Sequence, residues 1–127
     1  MEATFPRLLL GERDPFMQRT LKQTLQGHFE LTIVEDGAVL LARARQNKPD
    51  LILLEVLLPT LDGFQVCRQL KNDPVTRPIP VLFYTLLAAE ARARQAGADG
   101  FLQKPQPPTR IIEEIRRILE LPEKRDH

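Results

Sequence analysis

The chain has 127 residues, 43% hydrophobic and 28% charged, enough to bury one core and too few for two. Eighteen basic residues oppose 17 acidic ones, so no overall charge draws it to nucleic acid or an anionic membrane surface. A single cysteine, Cys67, excludes an internal disulfide. There is no signal-peptide pattern at the start and no apolar run near the ~20 residues that span a bilayer, which makes the cytoplasm the expected location.

In chain order, Leu8-Leu9-Leu10 reads as a first strand. Asp14-Pro15 then supplies an N-cap and first helical turn, and Met17, Leu21 and Leu25 repeat at four-residue spacing up to Gly27. Leu31-Thr32-Ile33-Val34 predicts the second strand, and Ala38 to Gln46 a helix stopped by Pro49. Leu51-Ile52-Leu53-Leu54 is a third strand. Gly63 leads into a helix whose apolar side holds Phe64, Val66, Cys67 and Leu70, so Cys67 is expected to be buried filler. Val81 to Tyr84 and Phe101-Leu102 complete the strands, and Ile111, Ile112, Ile115, Ile118 and Leu119 mark a strongly amphipathic last helix. The third and fourth strands are nearly continuous in apolar character, as burial on both faces requires. Five β/α repeats imply a doubly wound α/β fold, a parallel sheet with right-handed crossovers and helices on both faces. One domain over residues 1–121 is expected, with 122–127 as a tail or the start of a linker.

In such a sheet, ligands and chemistry collect beyond the carboxyl ends of the strands. Those ends carry Glu12, Arg13 and Asp14 after the first strand, Glu55 after the third, Thr85 after the fourth, and Lys104 with Pro105 after the fifth. Asp14 is assigned mainly to capping. The frame Leu51 to Gly63, with Glu55 crowning a buried strand, resembles the phosphoacceptor segment of receiver domains of two-component response regulators. Gln95 to Pro105 is similar to that family's approach to its lysine, and the likeness runs from about Arg7 to Leu121. The resemblance implies the flavodoxin-like strand order 2-1-3-4-5, contact of Lys104 with the acidic centre, a cis bond before Pro105, and switch positions at Thr85 and Phe101.

Two departures set this chain apart from the family pattern. Glu55 stands where the family has its acceptor aspartate, and Arg13 where it has a magnesium-binding aspartate. Unit charges ~4 Å apart interact by about 4 kcal/mol at an effective dielectric of 20, so a divalent ion beside Arg13 would be repelled and magnesium binding is expected to be lost or weak. Arg13 is long enough to pair with Glu55 or Glu12. The extra methylene of Glu55 displaces its carboxylate by roughly 1.5 Å, which matters to in-line attack. Leu86 either lids the pocket or packs against the fourth helix, which sits in a segment about three residues shorter than the family's usual length.

The favoured reading is a signalling module that is no enzyme, binds no metal or other cofactor, and acts independently of phosphorylation. It would bind a protein partner, such as a histidine kinase or an output domain. Internal ion pairs would lock it, or Glu55 would bias it toward an active-like state. The competing reading is a residually active phosphoacceptor, phosphorylated by a histidine kinase with magnesium. By the resemblance, the fourth helix, fifth strand and fifth helix would form the output or homodimer face, with Arg92, Arg94, Arg110, Arg116 and Arg117 among Glu90, Glu113 and Glu114. Leu57, Leu58, Leu61, Leu86 and Leu87 form a second candidate patch at the pocket rim or belong to the core.

Overall fold

A computed structural model describes residues 4–122. Its elements follow in strict alternation: β1 (Arg7–Gly11), α1 (Pro15–Leu25), β2 (Glu30–Val34), α2 (Gly37–Asn47), β3 (Leu51–Leu54), α3 (Gly63–Asn72), β4 (Val81–Thr85), α4 (Glu90–Gln95), β5 (Gly100–Gln103) and α5 (Pro108–Ile118). All strand pairs are parallel, in the order β2-β1-β3-β4-β5. The order reverses between β1 and β3, so the crevice that a doubly wound sheet offers opens beyond Gly11 and Leu54.

Alternation along each strand feeds two cores. Leu8, Leu10, Leu51, Leu53, Leu82 and Tyr84 meet Leu21 and Leu25 of α1 and Ile111 and Ile115 of α5 on one face. On the other face Leu9, Ile52, Leu54, Val81 and Phe83 meet α2, α3 and α4 through Leu40, Val66, Leu70 and Ala93. Both sides of β3 and β4 are thereby removed from water, which is why their sequences lack a polar face. Cys67 is fully buried in the second of these cores, and burial pushes its thiol up to about 11.

Three aspartates start three helices. Asp14 accepts from the Met17 amide, Asp36 from Ala38 and Val39, and Asp62 from Gln65 in a reciprocal capping box. Because Asp36 caps it, α2 begins at Gly37 rather than Ala38; it runs to Asn47 and ends at Lys48 in the left-handed region, before Pro49 can act. Gly63 is required where α3 turns in beneath β3, since a Cβ there would lie 2.6 Å from the Glu55 carbonyl oxygen. The short α4 has no side-chain cap. Of the expected tail, Pro122 is described and 123–127 lie outside the described residues.

Candidate functional site

The ends of β1, β3 and β5 bring Glu12, Glu55 and Lys104 together. Backbone bonds fix each position: the Glu12 amide donates to the Val34 carbonyl, that of Glu55 to Gly11, and that of Lys104 to Thr85. The Lys104 Nζ then lies 2.5 Å from Glu12 Oε1 and 2.9 Å from Glu55 Oε1, with the three side chains only 5%, 3% and 6% exposed. Glu12 Oε2 accepts from the Asp14 amide, and Glu55 Oε2 from the amides of Val56 and Leu57. All four carboxylate oxygens thus have protein donors. Burial pushes the Lys104 ammonium toward losing its proton, yet hydrogen bonds to Glu12 and Glu55 and their negative charges together outweigh that cost and raise its pKa above 10.5.

Arg13 does not join this cluster. It is exposed and has no hydrogen bond or ion pair among the described residues, so the expected pairing with Glu55 or Glu12 is corrected: Lys104 takes that place. The reason is directional. Glu12 is the last side chain drawn inward before Asp14 turns the chain into α1, and the residue between them faces out. Asp14 is the cap that its Asp-Pro pair predicts.

Thr85 is fully buried and bonded to Lys104 only through its backbone carbonyl; its hydroxyl accepts from the Leu87 amide at 3.4 Å. Phe101 is half-buried and packs on the α2, α3 and α4 side of the sheet, in register with Phe83. The Lys104-Pro105 bond is cis. Leu86 is 65% exposed, which corrects both of its expected positions, since it points mainly into solvent rather than into the pocket or onto α4. The candidate leucine patch divides: Leu58 is buried and Leu61 half-buried, whereas Leu57, Leu86 and Leu87 are exposed.

Two participants escape a linear reading of the sequence. The Tyr84 ring lies 5.6 Å from Lys104 Nζ, and its hydroxyl accepts from the Gln106 amide, shaping the turn that carries Lys104. Gln18 donates to both the Glu12 carbonyl and the Glu35 carboxylate, tying α1 to the first two strand ends. Only the adjacency of Tyr84 to Thr85 hinted at the first, and nothing in the spacing marks the second.

The α5 side is also ion-paired within itself. Glu114 is buried and bonded to Arg117 at 2.7 Å and Arg110 at 3.2 Å. Arg94 pairs with Glu90, Arg116 bonds the Pro122 carbonyl, and the Arg92 guanidinium lies 4.2 Å from the centre of the Phe64 ring. Each of the five arginines expected on a docking face already has a partner within the chain.

The response regulator receiver domain family model matches residues 8–116, and the chain belongs to that family. It is 39% identical over 94 residues to the response regulator PleD of Caulobacter vibrioides, covering 72% of this chain and 21% of that protein, so it spans about a fifth of this relative. It is 32% identical over 117 residues to protein PilH of Pseudomonas aeruginosa, with 89% of this chain and 97% of PilH covered. The receiver domain of the sensor histidine kinase PA1611 of Pseudomonas aeruginosa, solved with magnesium coordinated in its active-site cleft, superposes with a TM-score of 0.86 at 25% identity, covering 92% of this chain and 99% of that one.

A magnesium ion of that kind needs oxygen ligands in near-octahedral arrangement. Here two carboxylates share one ammonium, and among the described residues no group of three or more His, Cys, Asp or Glu could hold a metal ion. Among the described residues no helix is long and apolar enough to cross a membrane.

Proposed function

We propose that this receiver domain of two-component signalling works without phosphorylation, holding one state through internal ion pairs and acting in the cytoplasm by binding a protein partner. One observation carries the reading: every carboxylate oxygen of Glu12 and Glu55 is already engaged by Lys104 or by a backbone amide. The added methylene of Glu55 lets its carboxylate fold back onto the amides of Val56 and Leu57, away from the line an incoming phosphoryl donor would need. A metal would have to displace a buried ammonium or break these bonds, and Arg13 at the mouth adds repulsion. On this reading the chain is no enzyme and needs no magnesium.

Incubation with a small phosphodonor and magnesium, followed by intact-mass measurement, is expected to leave the mass unchanged. A base-labile phosphate adduct on Glu55 would overturn the reading. Arg13→Asp is expected to raise magnesium affinity about tenfold or more by calorimetry, since it exchanges a repelling charge for a ligand. Arg13→Asp with Glu55→Asp is expected to restore some acceptor activity.

A further inference from the structure

β2 lies at one edge of the sheet, and among the described residues no strand pairs with its outer side. The Glu30 amide donates to the Pro6 carbonyl and the Val34 carbonyl accepts from the Glu12 amide, so residues 30, 32 and 34 turn their backbone groups toward β1. Leu31 and Ile33 alternate with them and turn two amides and two carbonyls outward. Sheet edges are commonly blunted by proline, lysine or a bulge. The run Leu31-Thr32-Ile33-Val34 has none of these, keeps an unbroken register with β1, and is rich in strand-forming residues.

Both flanks of this edge are open. On the α1 face a groove is lined by Lys22, Gln26, Phe29, Leu31 and Ile33. On the α2 face another is lined by Arg7, Glu30, Thr32, Arg43 and Asn47 among others. Neither helix closes over the strand: Leu31 and Ile33 are only half-buried, and Thr32 is exposed.

The strand matches itself. A second β2 laid antiparallel about a twofold axis at Thr32 sets Leu31 opposite Ile33 of the second copy, and Ile33 opposite its Leu31. Both are hydrogen-bonding positions, so the outward amides and carbonyls of one copy meet those of the other with none left over. On the α1 face the half-buried Leu31 and Ile33 then cover their counterparts across the join.

Charge selects the same arrangement. The amino half of the edge carries Arg7, Lys22, Arg43 and Lys48 against Glu30 and Asp50. The carboxyl half carries Glu35 and Asp36 against Arg19, while Arg13 follows β1, one strand further in. The edge therefore runs from basic to acidic, and antiparallel pairing lays each half on its opposite. Glu35 of the second copy comes level with Phe29, in the groove that Lys22 lines, and Lys22 has no ion pair among the described residues. A strand acidic throughout would instead meet like charge at the carboxyl half.

We propose that this edge joins a second copy of the chain, β2 against antiparallel β2, to make one continuous sheet across the twofold. This specifies one partner for the protein-binding module proposed above, and the two fail separately: a phosphate adduct on Glu55 removes phosphorylation independence, whereas the measurements below are blind to phosphorylation.

The test follows the full chain by light scattering and amide hydrogen exchange from about 10 µM to about 1 mM. The mass is expected to rise from that of the monomer toward twice that value. Over the same range the Leu31 and Ile33 amides are expected to slow about fivefold in exchange while those of Thr32 and Val34 hold steady, because only the former gain a partner. Thr32→Lys sets two ammonium groups on the axis and is expected to weaken the dimer about tenfold; Thr32 is exposed, so an unchanged circular dichroism spectrum is expected. Lys22→Glu and Glu35→Lys are each expected to weaken it about tenfold, and an equimolar mixture of the two variants to recover the dimer, since every glutamate then meets a lysine. These two sites are exposed and keep the test decisive should Thr32→Lys not fold. A monomeric mass at about 1 mM, exchange at Leu31 and Ile33 that does not depend on concentration, or a mixture of the two variants that stays monomeric would each overturn the proposal. So would a dimer that survives all three substitutions, since its interface would then lie elsewhere.

Discussion

Two ion clusters of opposite polarity sit on this molecule. In the pocket one ammonium, Lys104, bridges two carboxylates; on α5 one carboxylate, Glu114, bridges two guanidinium groups. Their connectivity is alike and their surroundings are not. The pocket ions are all nearly removed from water, whereas Arg110 and Arg117 keep 47% and 62% of their side-chain surface exposed. A buried ion that loses its partner has no solvent to turn to, so the pocket is held by necessity; the α5 arginines rehydrate when released. The same difference sets opposite pH limits. Lys104 titrates above its ordinary 10.5 in the folded chain, so its contribution is intact below 10.5 and lost as pH rises through the higher folded value. The Arg117 hydrogen bond, opposed by burial and aided by Arg110, holds Glu114 at about 2, so its contribution is intact above 4.5 and lost as pH falls toward 2.

The largest expected effect is therefore that of Lys104→Met, which leaves two buried carboxylates facing each other and costs about 3–5 kcal/mol in urea unfolding at neutral pH. The deficit is expected to shrink on acidification, because the facing carboxylates then share a proton; a loss below about 1 kcal/mol would place the pocket in the same class as α5. Glu114→Gln comes next. It is expected to cost about 1–2 kcal/mol, discounted because both arginines are hydrated, and the gap to the natural chain is expected to close between pH 4.5 and 2. Alkaline unfolding sharpens the contrast: above pH 10.5 the natural chain is expected to lose stability that Lys104→Met has already lost, while Glu114→Gln follows the natural curve. Arg117→Ala is the smallest, at about 0.5 kcal/mol or less and fading with added salt. A cost for Arg117→Ala equal to that of Lys104→Met would remove burial as the deciding variable.

Much of the site was legible because it depends on short sequence spans. Asp14-Pro15 announced its cap, the uninterrupted Leu51 to Leu54 announced a strand buried on both faces, and Glu55 was bound to stand at that strand's end. Arg13 was misjudged because reach is not direction: the side chain is long enough for Glu55, but the turn into α1 aims it outward. The five arginines near α4 and α5 looked available as docking charges, and whether each had a partner depended on contacts such as that of Arg92 with Phe64, 28 positions away in sequence. Leu86 could be placed one residue beyond a strand, and no local rule says whether such a residue folds in or out.

The sequence by itself determined the alternation of strands and helices, one of the three aspartate caps, Asp14, and the identity of the charged groups at the strand ends, because periodicity, capping and strand termination act over a few residues. The contact of Lys104 with the acidic centre followed from the resemblance, whereas the tertiary structure alone decided that Arg13 takes no part: Lys104 reaches Glu12 across 92 positions and closes the pocket while Arg13 stays in solvent. Pairing in a sheet is set by strand order and register, and only that three-dimensional arrangement selects one partner among several side chains of equal reach and suitable charge.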